Sequence, residues 1–295
     1  MTTNTPLFSV LIANYNNGEY LEEALQSVFS QTYSNWEIIL VDDASTDNSK
    51  EIYNKYQNDK RIHIYYNDKN YGCGFTKNRC VKLSNGEICG FLDPDDALAK
   101  TAIEELSNEL LKHQPAVSFV YSDMYIVNKE MKIINTKSYQ KEIPKGKSYL
   151  QSSPGSISHF EAFMKDAYNK TSGINTTIQQ AVDTDLYLKL EEVGKFIYIK
   201  KKLYYYRLGT GNNLSSNYAK GFSWNFIVMY EACKRRNIDY MSILVPYYNF
   251  FLDMNLNNRQ NKIQEELWTT YNSFSFKLGK FITAPFRWIK KIITK

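Results

Sequence analysis

A chain of 295 residues (34.5 kDa) is long enough to bury a sizeable core, and 43% hydrophobic with 23% charged residues excludes disorder as its overall description. The net charge of +5 is unevenly placed: Lys277, Lys280, Arg287, Lys290, Lys291 and Lys295 lie between Phe274 and Lys295 with no acidic residue among them, so the body before them is close to neutral. A neutral body with a basic tail argues against a nucleic-acid partner, which is met by basic residues spread over a folded face.

Cys73, Cys80, Cys89 and Cys233 form no CxxC pair and no regular framework, which suits reduced, mostly buried thiols in the cytoplasm. Met1 to Pro6 is polar and the apolar run Leu7 to Ala13 is short, unlike a signal peptide. No stretch of eighteen apolar residues offers a spanning helix.

In chain order, strands are predicted at Phe8 to Ala13, Trp36 to Val41, Ile62 to Tyr66 and Ile88 to Leu92. Helices are predicted at Tyr20 to Ser30, Asn48 to Tyr56, Phe75 to Leu83 and Thr101 to Lys112. Such alternation implies a largely parallel sheet with helices on both faces. Val117 to Val127 and Lys132 to Asn135 flank an Asn128-Lys129-Glu130 turn as a hairpin, and Gln140 to Gly155 reads as loop. Ile157 to Tyr168 and Ile178 to Glu192 read as helices, Phe196 to Tyr206 as one or two strands, and the chain from about Ser216 as helical.

Ligands of such sheets bind beyond the carboxyl ends of the strands. Those ends carry Asn14 to Asn17, Asp42-Asp43, Asn67-Asp68 and Asp93-Pro94-Asp95-Asp96, so one rim is lined with carboxylates and amides. Crowded carboxylates repel one another, and a divalent cation relieves the repulsion; hard oxygen ligands suit magnesium or manganese shared with substrate phosphates. An acid-rich turn capping the next helix is the plainer alternative for Asp93 to Asp96. Gly72-Cys73-Gly74 and Gly146-Lys147-Ser148 lack the remaining glycines of phosphate-binding loops.

The order of several stations resembles one family. These are Val10-Leu11-Ile12-Ala13-Asn14-Tyr15-Asn16, Ser27-Val28-Phe29-Ser30-Gln31-Thr32, Val41-Asp42-Asp43-Ala44-Ser45-Thr46-Asp47, Asn70-Tyr71-Gly72, Thr76-Lys77-Asn78, Asn85-Gly86-Glu87 and Phe91-Leu92-Asp93-Pro94-Asp95-Asp96. Later, Val182-Asp183-Thr184-Asp185-Leu186 precedes Gly194-Lys195-Phe196 and Tyr204-Tyr205-Tyr206-Arg207. Over residues 7 to 215 the sequence resembles the inverting glycosyltransferases of family 2, of the bacterial cell-surface polysaccharide type. Ala13, Ala44, Lys77 and Val182 replace the family's usual Pro, Gly, Arg and Glu, and Gly209 stands where the family often has a His that helps hold the metal and diphosphate.

The resemblance implies an α/β chain of GT-A fold: a mostly parallel, Rossmann-like sheet flanked by helices over residues 1–215, with a C-terminal helical extension over 216–295. It implies a nucleotide-sugar site, UDP-linked, at Ala13, Tyr15, Asn16, Asp42, Asp43, Asn70, Lys77, Asp93 and Asp95. Asp95 and Asp96 would hold Mn2+ or Mg2+, and Asp183 would be the catalytic base. Asp183 is also eligible as a helix cap, and Asp185 as base or cap. His159 and Asp185 are placed on the acceptor side, His159 as a contact to phosphate or acceptor or as a structural histidine. The transfer implied is of a hexosyl or N-acetylhexosaminyl group to a hydroxyl of a lipid-linked or cell-surface glycan. A non-catalytic nucleotide-sugar or glycan-binding protein on the same fold is the alternative. A sugar-phosphate nucleotidyltransferase would need a Gly-rich loop after the first strand, which is absent.

Between Phe274 and Lys295, apolar residues recur near helical spacing, punctuated by the basic ones and divided by Pro285. Residues 274–295 read as an amphipathic segment lying on an anionic membrane with Trp288 at headgroup depth, at the cytoplasmic face of the cell membrane; an ordinary helix packed on the body is the alternative.

Overall fold

The computed structural model describes residues 5–136, 140–152, 157, 159–210 and 218–272. Four βα units open the chain: β1 (Phe8–Asn14), α1 (Gly18–Phe29), β2 (Trp36–Asp42), α2 (Ser49–Tyr56), β3 (Ile62–Tyr66), α3 (Cys73–Leu83), β4 (Ile88–Phe91) and, after the two-residue β5 (Ala97–Leu98), α4 (Ala102–Lys112). Each expected strand and helix of this half is present within two residues of its sequence bounds. The reason is local. β1 and β2 are almost entirely buried on both faces, as continuous apolar runs require, and α1 and α4 bury one stripe each, through Tyr20, Leu21, Ala24, Leu25 and Val28 and through Ala102, Ile103, Leu106 and Leu110.

The second half adds β6 (Val117–Val127), β7 (Ile133–Asn135), a 3-10 turn at Tyr149–Gln151, β8 (Glu161–Met164), α5 (Lys165–Asn169), α6 (Val182–Glu191), β9 (Lys195–Arg207), α7 (Tyr218–Arg235) and α8 (Tyr240–Asn272). The hairpin β6–β7 forms as expected, and Phe196 to Tyr206 lies in a single strand. Ile157 to Tyr168 does not form one helix: Glu161–Met164 is a strand buried between β4 and β6, and only Lys165–Asn169 is helical. The polar stretch after Gln140 includes a turn closed by a reciprocal cap between Ser148 and Gln151, which buries Tyr149 and Leu150.

Among the described residues one nine-stranded sheet results, in the order β3-β2-β1-β4-β8-β6-β9-β5 with β7 beside β6. β1, β2, β3 and β4 are mutually parallel; β8 is antiparallel to both β4 and β6, β6 and β9 are parallel, and β5 is antiparallel to β9. The carboxyl ends of β1, β2, β3, β4, β6 and β9 therefore share one rim. Because β8 runs the other way, it presents its amino end, Glu161, at that same rim.

The chain divides into two compact units, Met1–Leu244 and Val245–Lys295. α7 packs against α6 within the first unit, with Arg236 Nη1 2.7 Å from Glu191 and Arg235 Nη2 2.9 Å from Glu192, so the helical extension expected from residue 216 is shared between the two. The second unit holds the greater part of α8, with Pro246 inside the helix and Tyr248, Phe250, Leu252, Leu256 and Trp268 exposed. No described helix is long and apolar enough to cross a membrane. The basic segment 274–295 lies outside the described residues.

Candidate active site

The rim begins with the β1–α1 loop. Tyr15 is exposed and follows Ala13 and Asn14, and Asn16 takes a left-handed φ of 55°. Asn16 is tied to the turn after β2: its N–H donates to Ser45 Oγ (2.9 Å), and its Oδ1 accepts from Thr46 N (2.8 Å). Asp42, at the end of β2, accepts from Tyr53 Oη (2.6 Å) and Ser45 N (3.0 Å), so one of its roles is to close that turn. Ala44 there has φ +62°, in the region that glycine occupies most cheaply, which accounts for the family's Gly at this station.

Asp43 is buried and accepts from Asn67 Nδ2 (2.6 Å), Tyr71 N (2.9 Å) and Gly72 N (2.8 Å). It anchors the loop containing Asn70, whose side chain caps Gly72 N at 2.9 Å. Tyr71 stacks on Phe75 with ring centroids 4.4 Å apart, and Lys69 Nζ lies 5.0 Å from the Tyr71 ring. The result is a wall with aromatic faces, amides and two carboxylates, of a kind that suits a nucleoside.

Beyond β4, Asp93, Asp95 and Asp96 part company. Asp93 Oδ1 is 3.4 Å from Lys77 Nζ and its Oδ2 is 3.1 Å from His159 Nε2. Burial opposes its charge, yet the Lys77 ammonium and the His159 ring hold its carboxyl far below the usual carboxylate range. Asp95 and Asp96 move the opposite way. Burial raises the Asp95 carboxyl, with Asp93 adding repulsion; burial raises Asp96 much further, with Asp95 and Asp93 adding theirs. Asp95 Oδ2 accepts from Thr210 Oγ1 (3.0 Å) and Asp96 Oδ1 from Arg207 N (2.7 Å). Asp96 Oδ2 is buried with no hydrogen bond of acceptable geometry among the described residues, although the Tyr204 hydroxyl lies near enough to ease its charge. Two crowded, buried carboxylates that repel each other fit a hard divalent cation. Among the described residues no group of three or more His, Cys, Asp or Glu side chains converges as a complete metal site. Gly209, with φ +85°, stands where the family often has its His.

Asp183 sits in the first turn of α6. The capping alternative is not realised: the N-cap position is Ala181, with φ +58°, and Asp183 turns to Lys77, whose Nζ lies 2.7 Å from its Oδ1. Its Oδ2 is 3.7 Å from His159 Nε2. Lys77 is buried between Asp93 and Asp183; burial disfavours its charge, but Asp183 and then Asp93 keep it well above the usual lysine value. His159 is not on a helix but precedes β8, and its Nδ1 is 3.0 Å from Glu161 Oε2. Burial works against the protonated ring, while Asp93 and Glu161 together raise it well above the ordinary histidine value.

The sheet thus brings Lys77, Asp93, Asp183 and His159 into one cluster, with Asp95 and Asp96 next along the chain. Asp185 does not join it. Buried on the other side of the first turn, its Oδ2 accepts from Lys189 Nζ (2.7 Å) and Asn175 N (3.0 Å), so it secures the segment leading into α6. Sequence reasoning gives no role to Glu161 or Arg207. Buried Arg207 donates through Nε to the Asp95 carbonyl (2.7 Å), through Nη1 to the Lys129 carbonyl (2.5 Å), and through Nη2 to Glu23. The four cysteines are free thiols, Cys80, Cys89 and Cys233 buried.

The family model described as "Glycosyl transferase family 2" matches residues 9–172. The chain is 32% identical over 269 residues to a hyaluronan synthase of Pasteurella multocida, covering 89% of this chain but 26% of that protein, so it spans about a quarter of that relative's length. Among solved structures, S. aureus TarS 1-349 in complex with UDP-GlcNAc superposes with a TM-score of 0.65 at 21% identity, covering 82% of this chain and 71% of that one. Mannosyltransferase PcManGT from Pyrobaculum calidifontis, in complex with GDP-Man and Mn2+, superposes with a TM-score of 0.57 at 16% identity, covering 96% and 85%. The two structures share the curled mixed sheet with flanking helices, and the sequence match falls on the strands that carry the carboxylate rim: the chain belongs to glycosyl transferase family 2, with the GT-A fold.

Proposed function

We propose that this chain is an inverting, metal-dependent glycosyltransferase that moves a hexosyl or N-acetylhexosaminyl group from a UDP-sugar to a hydroxyl of a lipid-linked or cell-surface polysaccharide. The observation that carries the reading is the division of labour at the rim: Asp183 held against Lys77, beside the buried carboxylates of Asp95 and Asp96, whose charges burial and mutual repulsion oppose. Complexes of TarS with UDP-GlcNAc and of PcManGT with GDP-Man and Mn2+ support a nucleotide-sugar donor and a divalent ion on this fold. The name of the hyaluronan synthase supports a glycan acceptor.

In this reading the wall of Ala13, Tyr15, Asn16, Asp42, Asp43 and Asn70 receives the nucleoside, and Asp93 and Asp95 face the ribose and sugar side. Asp95 and Asp96 would hold Mn2+ or Mg2+, which when bound supplies positive charge to the departing diphosphate. Asp183 takes the proton of the acceptor hydroxyl as that oxygen bonds to the anomeric carbon, and the carbon–oxygen bond to the diphosphate breaks with its electron pair leaving on the phosphate oxygen. Lys77, once phosphate competes with the carboxylates for it, is a second cation for that leaving charge. The basic segment 274–295 would hold the enzyme at the cytoplasmic face of the cell membrane, where lipid-linked acceptors lie.

The test is a screen of nucleotide-sugars with Mn2+, Mg2+ or chelator, reading released nucleoside diphosphate, on the wild type, Asp183→Asn and Asp96→Ala. Turnover that requires a divalent ion and falls by about 10²–10⁴-fold in Asp183→Asn is expected. Equal turnover in either variant overturns the mechanism, and no release from any donor favours a binding protein.

A further inference from the structure

The histidine of the cluster is unusual in having both ring nitrogens turned to carboxylates. His159 Nδ1 is 3.0 Å from Glu161 Oε2, Nε2 is 3.1 Å from Asp93 Oδ2, and the same Nε2 is 3.7 Å from Asp183 Oδ2. A ring so placed has a carboxylate oxygen to receive each N–H of its protonated form. Its orientation is fixed from behind. Glu161 is fully buried and set in β8 opposite Tyr121 of β6, and the Tyr187 hydroxyl adjoins it, burial and Glu161 together raising that phenol.

Lys77 and His159 divide the two aspartates by oxygen atom. Lys77 faces Oδ1 of Asp93 and Oδ1 of Asp183; His159 faces Oδ2 of Asp93 and Oδ2 of Asp183. Two cations thus lie against two carboxylates: Lys77 is hydrogen-bonded to Asp183, His159 Nε2 lies nearest Asp93, and Asp183 Oδ2 stands at a longer charge contact with the same ring edge. An ammonium on a flexible stem fixes distance but not carboxylate rotation, whereas the charge of a planar ring locked by Glu161 has a fixed direction and biases how the Asp183 carboxylate turns.

We infer that His159, locked by the buried carboxylate of Glu161, is a positioning residue that holds Asp183 in the rotation from which it accepts the acceptor proton. It acts through the carboxylates of Asp183 and Asp93. This rests on the reading of Asp183 as the base. It assigns a role to Glu161, which reaches the reaction through the ring.

The experiment uses the full chain in two arms. The protein has three histidines, so the ring resonances of His63, His113 and His159 can be followed separately by NMR. Asp183→Asn is expected to shift the His159 ring signals and leave those of His63 and His113 in place; unmoved His159 signals overturn the inference without any need of a donor. In the second arm, UDP release from UDP-N-acetylglucosamine and UDP affinity by calorimetry are measured for His159→Asn, His159→Gln, Glu161→Gln and His159→Asn with Asp183→Asn. His159→Asn keeps a partner for Glu161 but loses the Nε2 edge, and kcat is expected to fall on the order of ten- to a hundredfold with UDP affinity within about twofold. His159→Gln, which returns an N–H near the Nε2 position, recovers part of the loss. The second substitution adds little on the Asp183→Asn background, as residues acting in one unit are non-additive. Loss of kcat and UDP affinity together, or an additive double variant, overturns positioning in favour of a structural role. Undiminished turnover in Asp183→Asn removes the base and this inference with it, whereas a dead Asp183→Asn beside an unimpaired His159→Asn removes this inference alone.

Discussion

Glu37 shows how far a single buried carboxylate can be committed to the fold. At the amino end of β2, away from the rim, it accepts from Ser9 Oγ (2.6 Å), Asn85 N (2.6 Å), Asn85 Nδ2 (3.0 Å) and Gly86 N (3.2 Å). Burial opposes its charge, but the bonds from Ser9 and Asn85 outweigh it and lower its carboxyl below the ordinary range. A group depressed in the folded state contributes stability that is present above its unfolded value, about 4.3, and is lost as pH falls through the folded value. Glu37→Gln is therefore expected to cost about 2 kcal/mol at pH 7, and the gap in urea unfolding between variant and wild type should close on acidification below about pH 4; a gap that widens in acid contradicts this. At the same scale, the residues of the rim are legible in the sequence because strand ends announce them: Asp93, Asp95, Asp96 and Lys77 follow apolar runs or open a helix. Their pairings are not. That Asp185 is committed elsewhere has a signal, Lys189 four positions on, the spacing of a helical ion pair. Glu161 has none, since one acidic residue within an apolar stretch has no spacing that separates a buried partner from a solvated one.

β8 is the element on which the cluster depends, and its place is made by a glycine. A Cβ at Gly90 of β4 would stand 2.8 Å from the Glu161 carbonyl and 2.9 Å from the Phe8 ring, so β4 and β8 approach as they do only because that position has no side chain. Gly90→Ala is expected to lower stability by about 1–3 kcal/mol, read from the thermal midpoint, by pushing β8 away; an unchanged midpoint contradicts the close fit. In the sequence β8 reads as part of a helix because Ile157 to Tyr168 places apolar residues at spacings compatible with either structure, and a four-residue strand with three consecutive buried residues shows no alternation. β5 is invisible there for a different reason: two residues carry no pattern, and Ala97 and Leu98 are strand only because Tyr205 and Tyr204 of β9 pair with them. The opening βα units are legible because each of their elements declares its own periodicity, whereas β5 and β8 are defined by partners far away in the chain.

For the whole molecule the unevenness of charge matters more than its sum. The body that carries the carboxylate rim is near neutral, and the positive excess lies at residues 274–295. Reversing two of those charges in the full chain, Lys290→Glu with Lys291→Glu, is expected to weaken co-sedimentation with phosphatidylglycerol vesicles by about 1 kcal/mol or more per charge removed, while UDP release from a nucleotide-sugar stays as in the wild type; equal sedimentation counts against the membrane role. The same long-range logic governs the rim itself. Glu23 of α1, the carbonyls of Asp95 and Lys129, and Asp96 all converge on Arg207 at the end of β9. During synthesis the carboxylate diad leaves the ribosome well before the strand that braces it. Until that strand arrives and pairs, Asp95 and Asp96 lack the peptide N–H and guanidinium that offset their repulsion, so a nascent chain has the two carboxylates without their scaffold. Such non-local closure slows folding, and it makes the last strand of the sheet the step that commits the first half to a working shape.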